Sequence, residues 1–173
     1  MKVWLIGADG MLGSVFPDFL RKQKLQFVTT TYGIVDIANE KQIETFVRDQ
    51  GITHIINCAA YTAVDLAEKE REEAYLINSE ALKYIGKAAK KNKAWVLHFS
   101  TDYSFNGESL KPIEESDYCD PVNYYGMTKW EGENNLLREC PDSCIVRTSW
   151  LFGLNGKNFV STMLHLLKER MEL

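Results

Sequence analysis

The sequence of 173 residues is 45% hydrophobic and 25% charged, which is the composition of a globular domain rather than of a disordered chain. Its formal net charge of −4 argues against a surface for nucleic acid or for an anionic membrane, and no apolar run approaches the roughly 18–20 residues of a membrane span. The N-terminus lacks the apolar segment and the cleavage site of a signal peptide, so we expect a cytoplasmic protein.

Short apolar runs alternate with amphipathic stretches along the chain. The apolar runs predict strands over residues 2–7, 25–31, 54–60, 94–100 and 144–150. Apolar residues at helical spacing predict helices over residues 11–23, 40–50, about 70–91, about 124–138 and about 159–171. Pro17 lies inside the first helix and counts against it. This alternation predicts an α/β fold, a Rossmann-type doubly wound parallel sheet with helices on both faces.

Three glycines, Gly7, Gly10 and Gly13, stand between the first strand and the first helix in the stretch GADGMLG. At such a turn the first glycine permits a tight bend, the second lets backbone N–H groups approach a pyrophosphate, and the third lets the helix pack closely on the strand. The helix N-terminus then presents free N–H groups to the phosphates. The loop therefore predicts a dinucleotide-binding site, and the alternative is a tight turn without a ligand.

The end of the second strand, TTTYG, has no Asp, Glu or Arg. An acid there would hydrogen-bond a ribose 2′-hydroxyl and repel a 2′-phosphate, so its absence leaves the choice between NAD and NADP open. Asp36 and Ile37 follow soon after, in a position to flank the adenine. Asp36 is equally well placed to cap the next helix.

The third strand ends in small residues, in the stretch NCAAYTAVD. Ala59 and Ala60 would let a bound cofactor pass close over the carboxyl edge of the sheet, where ligands of such folds bind. Tyr61 and Thr62 would then point toward the same crevice. The alternative is that these small residues only pack against a helix.

Hydroxyl-bearing residues end the fourth strand, and a tyrosine–lysine pair opens the helix that follows. Ser100, Thr101 and Asp102 are expected at the carboxyl edge of the sheet, with Tyr125 and Lys129 four residues apart on one helix face. A tyrosine can protonate a carbonyl oxygen, but it titrates at about pH 10 and needs a nearby cation. A hydroxyl from the strand end could hold and polarise that carbonyl. Each motif alone is also typical of a turn or a solvated helix face, and only their combination indicates an active site.

The histidines and cysteines do not indicate a metal site. His98 lies in the apolar run WVLHFS and is interpreted as a core or strand residue rather than a ligand. Cys140 and Cys144 are the only close pair among the four cysteines, and a single Cys-x-x-x-Cys pair is a poor zinc signal. We therefore expect reduced thiols and no metal.

Five stretches together resemble the extended branch of the short-chain dehydrogenase/reductases, and within it the dTDP-4-dehydrorhamnose reductase family. They are GADGMLG, INCAAYTAVDLAE, STDYSFNG, PVNYYGMTKWEGE and VRTSWLFGLNGKNFVSTMLHLLKER, and they span nearly the whole chain. The resemblance implies cofactor contacts at the pyrophosphate, at the adenine and near the third and fourth strand ends. These contacts come from Gly7, Gly10, Met11, Leu12, Asp36, Ile37, Ala60, Tyr61, Thr62 and Phe99.

The resemblance also implies the catalytic and sugar-binding roles. Tyr125 is the proton donor, Lys129 binds the nicotinamide ribose and lowers the pKa of Tyr125, and Thr101 is the hydroxyl that polarises the carbonyl. Thr101 and Asp102 contact the sugar, and Trp150 packs on its ring. The implied reaction is the NADPH- or NADH-dependent reduction of the C4 keto group of dTDP-4-dehydro-6-deoxy-L-mannose (dTDP-4-dehydrorhamnose) to dTDP-L-rhamnose. Its partner is a dTDP-sugar, and a homodimer is compatible with it.

Members of this family continue well beyond the length of this sequence. We therefore expect residues 1–173 to hold the NAD(P)-binding Rossmann domain with the catalytic residues and to lack the C-terminal substrate lobe. Two other functions stay open. One is a non-catalytic dinucleotide-binding subunit of the methionine adenosyltransferase beta type, and the other is a nucleotide-sugar epimerase or dehydratase. The presence of Thr101, Tyr125, Lys129 and Trp150 favours the reductase.

Overall fold

The computed structural model describes residues 1–156 and 158–169. Five parallel strands form one sheet: β1 (Lys2–Ile6), β2 (Gln26–Thr30), β3 (His54–Asn57), β4 (Trp95–Thr101) and β5 (Cys144–Thr148). Their order is β2-β1-β3-β4-β5, so the direction in which strands are added reverses between β1 and β3. Ligands of doubly wound sheets bind at such a reversal, outside the carboxyl ends of the strands.

Helices cover both faces of this sheet. They are α1 (Phe16–Lys22), α2 (Glu40–Asp49), α3 (Val64–Ala67), α4 (Arg71–Tyr75), α5 (Ala81–Asn92), α6 (Tyr124–Glu139) and α7 (Phe159–Glu169). α5 packs between α2 and α6 on one face. On the other face, the Phe16 ring of α1 lies 5.8 Å from the Phe99 ring of β4. Right-handed crossovers require this division, because the chain adds β2 on one side of β1 and the later strands on the other.

The apolar core lies between the sheet and the layer formed by α2, α5 and α6. Its buried members include Trp4, Ile6, Ile43, Val47, Ile55, Leu82, Ile85, Val96 and Leu136. Trp4 is fully buried in β1, and its indole N–H donates to the Thr30 hydroxyl at 2.8 Å. Burial of β1 on both faces explains why this strand reads as a continuous apolar run.

The predicted Rossmann-type fold is confirmed, with local differences. α1 begins at Phe16, after a 3-10 turn over Gly13–Val15, so Pro17 lies in the first helical turn, where its missing N–H is tolerated. The helix predicted over 70–91 is divided by a π-helical turn at Leu76–Glu80. The sequence pattern does not predict α3, which is a single turn, and residues 170–171 of the last predicted helix lie outside the described residues. No helix in the described ranges has both the length and the apolar character needed to cross a bilayer.

Candidate active site

A cleft of about 650 Å³ opens at the carboxyl edge of the sheet, beside the reversal between β1 and β3. Its size is typical of a small-molecule site. The cleft is lined by most of the residues that the sequence predicts for the site. They are Gly7, Gly10, Met11, Leu12, Ile37, Ala60, Tyr61, Thr62, Phe99, Thr101, Asp102, Tyr125, Lys129 and Trp150. Two predicted residues, Gly13 and Asp36, lie outside the lining. The fold thus brings together side chains from strand ends that are far apart in sequence.

The glycine loop follows β1 and is packed too tightly for larger residues. Gly7 has a φ of +73°, and a Cβ there would lie 2.8 Å from the backbone nitrogen of Ala59. Gly13 is buried, and a Cβ there would lie 2.0 Å from the carbonyl oxygen of Gly7. Within the described residues, the backbone N–H groups of Met11 and Leu12 have no hydrogen-bond partner. The loop therefore offers two donors beside the cleft, which is the arrangement that binds phosphate groups.

Asp36 forms a local turn before α2. Its carboxylate accepts a hydrogen bond from the Ala38 N–H at 2.9 Å, and its own N–H donates to the side-chain oxygen of Gln42 at 3.0 Å. The residue that caps α2 is Asn39, whose side chain accepts from the Gln42 N–H. Asn39 rather than Asp36 therefore caps α2, and the contact of Asp36 with an adenine stays a prediction.

Tyr125 lies in the first turn of α6, which packs against the turn after β4. The Asn123 side chain caps α6 by accepting from the Gly126 N–H at 2.8 Å. Gly126 allows the close approach, because a Cβ there would lie 2.2 Å from the carbonyl oxygen of Tyr103. The Tyr125 and Tyr103 rings pack edge-on with centroids 5.8 Å apart. This packing places the Tyr125 phenol in the same cleft as the Thr101 hydroxyl, near enough for that hydroxyl to influence its pKa.

Burial dominates the environment of Tyr125. It raises the pKa of the Tyr125 phenol, the nearby Thr101 hydroxyl opposes the rise, and the negative charge of Asp102 adds to it. Lys129 is not among the causes of this shift. That Lys129 lowers the pKa of Tyr125 therefore stays a prediction.

Lys129 is buried, with only 2% of its surface exposed. Its Nζ donates to the Phe99 carbonyl oxygen at 2.8 Å and lies 3.2 Å from Nε2 of His98. Nδ1 of His98 lies 3.0 Å from the side-chain nitrogen of Asn57. Burial lowers the pKa of Lys129 to about 8, and burial also lowers the pKa of His98 well below its usual range. His98 is thus a neutral core residue, as its sequence context indicates, but it contacts the lysine of the candidate site.

We expect acid to destabilise the fold partly through His98. Its pKa is lowered by folding, so below the unfolded value of about 6.5 the unfolded chain binds a proton that the folded chain does not, and stability falls. One such group contributes a slope of about 1.4 kcal/mol per pH unit. In His98→Gln, urea unfolding should show a smaller loss of stability as the pH falls below about 6.5. Equal losses in both proteins would contradict this expectation.

Asn78 connects the lining residue Tyr61 to α6, a role that sequence reasoning missed. Its side-chain oxygen accepts from the Tyr61 N–H at 2.9 Å, and its amide donates to the Tyr61 carbonyl at 3.0 Å and to the Thr128 hydroxyl at 3.1 Å. A Cβ at Gly132 would lie 2.0 Å from the Asn78 carbonyl oxygen, so α6 approaches the π-helical turn closely there. Such turns are frequent at functional sites. The only sequence signal is a polar residue beside the apolar stripe of the helix.

Trp150 and Asp102 lie at the rim of the cleft. Trp150 is 77% exposed and has a φ of +51°, which is rare for a bulky residue. Its ring packs edge-on against Phe159, with centroids 5.4 Å apart. The Asp102 carboxylate accepts from the Thr101 hydroxyl at 3.3 Å. Both predicted sugar-binding side chains therefore stand where a molecule entering the cleft would meet them.

Tyr124, the neighbour of Tyr125, does not line the cleft. Its N–H donates to the Glu68 carboxylate at 2.8 Å, and its ring centroid lies 4.6 Å from the Arg71 guanidinium carbon. Tyr125 and Lys129, which helical spacing pairs, therefore line the cleft together, whereas Tyr124 lies outside its lining.

Several lining residues were not predicted. They are Ile6, Asp9, Thr31, Tyr32, Val35, Cys58, Val64, Glu73, Ile77, Tyr103, Thr148, Ser149 and Leu151. Many of them adjoin predicted residues at the same strand ends, which is the signal that could have identified them. In the described parts of the chain, no three His, Cys, Asp or Glu side chains come together as metal ligands would.

Comparison with known proteins identifies the family of this chain. A family model described as the RmlD substrate binding domain matches residues 1–173. The chain belongs to this family. The crystal structure of a dTDP-4-dehydrorhamnose reductase from Clostridium acetobutylicum is similar to this RmlD-family chain, with 40% sequence identity and a TM-score of 0.97. The match covers 100% of this chain and 61% of the Clostridium chain. The dTDP-4-dehydrorhamnose reductase from Bacillus anthracis, solved in complex with NADP, is 38% identical with a TM-score of 0.94, over 98% and 60% of the two chains.

A curated RmlD-family relative gives the same result. The dTDP-4-dehydrorhamnose reductase of Salmonella typhimurium is 46% identical over 138 residues, which are 80% of this chain and 46% of that protein. The resemblance to dTDP-4-dehydrorhamnose reductases that the sequence motifs indicate is therefore confirmed. The chain spans about half of the length of this curated relative and about three fifths of the two solved structures.

Proposed function

We propose that this RmlD-family chain carries the dinucleotide site and the catalytic residues of an NADPH- or NADH-dependent reductase. The proposed reaction reduces the C4 keto group of dTDP-4-dehydrorhamnose to give dTDP-L-rhamnose. One observation carries the proposal: the Tyr125 phenol and the Thr101 hydroxyl meet in the same cleft as the glycine loop. The names of the similar reductases support the choice of substrate.

The glycine loop fits a dinucleotide. Side chains are excluded at Gly7 and Gly13, and the backbone N–H groups of Met11 and Leu12, unbonded within the described residues, would hold the pyrophosphate. When bound, the reduced nicotinamide supplies the hydride for the carbonyl carbon.

The residues that line the cleft do not distinguish between NADPH and NADH. Lys129 is the only basic side chain among the described residues that line the cleft, so no arginine stands ready for a 2′-phosphate. Asp9 lies in the glycine loop, and Thr31 and Tyr32 follow β2, where their hydroxyls could bind either a ribose hydroxyl or a phosphate. Both dinucleotides are therefore included in the proposal.

Tyr125 is the proton donor in this proposal. A keto oxygen within reach of both hydroxyls would be polarised by Thr101 and would take the Tyr125 proton as its carbon is reduced. Because burial raises the pKa of Tyr125, the phenol carries its proton at neutral pH. Its loss leaves a half-buried phenolate, which needs a cation. Lys129, one turn further along α6, would supply that cation after turning from the Phe99 carbonyl toward the cleft.

The sugar would lie at the rim of the cleft. The exposed Trp150 indole offers a flat apolar surface for the sugar ring, and the Asp102 carboxylate can accept hydrogen bonds from its hydroxyls.

The experiment that tests the proposal measures binding and turnover separately on the 173-residue chain. Calorimetry with NADPH and NADH should show dinucleotide binding, and absorbance should show oxidation of the dinucleotide that depends on added dTDP-4-dehydrorhamnose. Binding without oxidation would refute the reductase proposal for this chain and favour a non-catalytic dinucleotide-binding subunit. Absence of binding would refute the dinucleotide site as well.

A further inference from the structure

A continuous chain of hydrogen bonds runs through buried polar groups behind the cleft. It joins the Ala59 N–H, the Asn57 side chain, the His98 ring and Nζ of Lys129, and it ends on the Phe99 carbonyl oxygen. The successive distances are 3.1, 3.0, 3.2 and 2.8 Å. Asn57 and His98 are fully buried. Solvent therefore cannot supply hydrogen-bond partners to these two side chains.

The Ala59 N–H, the first group in this series, determines the direction of the hydrogen bonds that follow. The Ala59 N–H can only donate, so Asn57 turns its oxygen to Ala59 and its NH₂ group to His98. Nδ1 of His98 must then accept, and a neutral imidazole that accepts at Nδ1 carries its proton on Nε2. This Nε2–H points at Nζ of Lys129. An ammonium group has no lone pair to accept it, whereas a neutral amine does and can still donate to the Phe99 carbonyl.

We propose that Asn57 and His98 are positioning residues that hold Lys129 as a neutral amine in this arrangement. They do so by presenting a donor to Nζ where a cation would need an acceptor. Burial acts in the same direction, since it lowers the pKa of Lys129 to about 8, and the neutral amine is the main form above that pH.

The other groups that face Lys129 provide no unpaired negative charge at neutral pH. Glu133 lies one turn further along α6, but its carboxylate oxygens pair with the Arg147 guanidinium at 3.0 and 3.1 Å. Cys58 follows β3, and burial raises the pKa of its thiol to about 12. Tyr125, one turn earlier on α6, also has its pKa raised by burial. The charged form of Lys129 is therefore poorly compensated in this position.

One consequence rests on the proposed function. To support a Tyr125 phenolate or to bind a ribose as a cation, Lys129 must leave the Phe99 carbonyl and His98 and take a proton from solvent. Above the pKa of Lys129, binding of a reduced dinucleotide should therefore be accompanied by proton uptake. Calorimetry in buffers with different ionisation enthalpies would measure this uptake.

The proposal itself is tested by NMR on the 173-residue chain without added dinucleotide. Proton–nitrogen correlation spectra recorded above about pH 8, with the signals assigned through His98→Gln, should show His98 with its proton on Nε2. Titration of ¹³C-labelled lysine, assigned through Lys129→Met, should show Lys129 changing protonation at about pH 8 or below, against about 10.4 for a free lysine. A proton on Nδ1 of His98, or a Lys129 titration near the free value, would overturn the proposal.

Asn57→Asp should reverse the direction of the hydrogen bonds between residue 57, His98 and Lys129. Its carboxylate accepts from both the Ala59 N–H and Nδ1–H of His98, so Nε2 becomes an acceptor for the Lys129 ammonium. We expect the His98 proton to move to Nδ1 and the Lys129 titration to rise by about one pH unit or more. Asn106→Asp, in an exposed loop, adds the same charge and should change neither signal.

These results separate the inference from the proposed function. The two measurements on the wild-type chain decide the inference even if Asn57→Asp does not fold. They involve neither dinucleotide nor sugar, so their failure would leave the reductase proposal intact. Conversely, failure to bind NADPH would leave the protonation state of Lys129 as measured.

Discussion

Tyr125→Phe should lower kcat/KM for the reduction of dTDP-4-dehydrorhamnose by about 100- to 10,000-fold, which is the usual contribution of a general acid. The substitution removes only the hydroxyl that stands beside Thr101, and the ring keeps its edge-on contact with Tyr103. The fold and the glycine loop should be unaffected, so the affinity for NADPH measured by calorimetry should stay the same. Initial rates over a range of sugar concentrations give the comparison.

Tyr124→Phe is the matched control for this experiment. It removes the same atom from the adjacent residue, whose ring packs under Arg71 outside the cleft. We expect its kcat/KM to equal that of the wild type. If the two variants lost activity equally, or if Tyr125→Phe kept full activity, Tyr125 would not be the proton donor.

Gly13→Ala should destabilise the fold by about 3 kcal/mol, at the upper end of the usual effect of overpacking. The added Cβ would lie 2.0 Å from the Gly7 carbonyl oxygen, and backbone atoms rather than a flexible side chain would have to move. The same movement would displace the Met11 and Leu12 N–H groups, so NADPH affinity should fall by about tenfold or more. Urea unfolding and calorimetry measure the two effects.

Gly33→Ala provides the control for a glycine near the cleft that has no packing role. A Cβ at Gly33 would meet nothing within 4 Å. Because alanine restricts the unfolded chain, this variant should be unchanged or more stable by up to about 1 kcal/mol. Equal destabilisation in Gly13→Ala and Gly33→Ala would show that the close packing of the loop is not the cause.

The fold could be predicted because its physical requirements are visible locally. Parallel strands buried on both faces produce apolar runs such as that around Trp4, and the strand-to-helix turn admits only glycine at Gly7 and Gly13. The pair Tyr125 and Lys129 could be predicted for the same reason, since helical spacing places them on one face.

The remaining parts of the site depend on contacts between distant segments. The contact between Asn57 and His98 forms across neighbouring strands, and no local pattern reveals which groups donate in it. Asn78 lies in the π-helical turn and contacts Tyr61, which is 17 residues away in the sequence. The position of Asp36 after β2 does not reveal that its carboxylate accepts a hydrogen bond within the turn before α2. The lowered pKa of Lys129 likewise follows from tertiary burial rather than from its spacing to Tyr125.

The position of Trp150 gives this protein an optical probe of its own cleft. Indole fluorescence responds to solvent and to nearby absorbing groups, and Trp150 is 77% exposed at the rim, whereas Trp4 is fully buried in the core. A sugar that covers the rim would therefore change the emission of Trp150 more than that of Trp4, Trp95 and Trp130, which lie outside the lining of the cleft. The occupation of the rim of the cleft can thus be followed without a label.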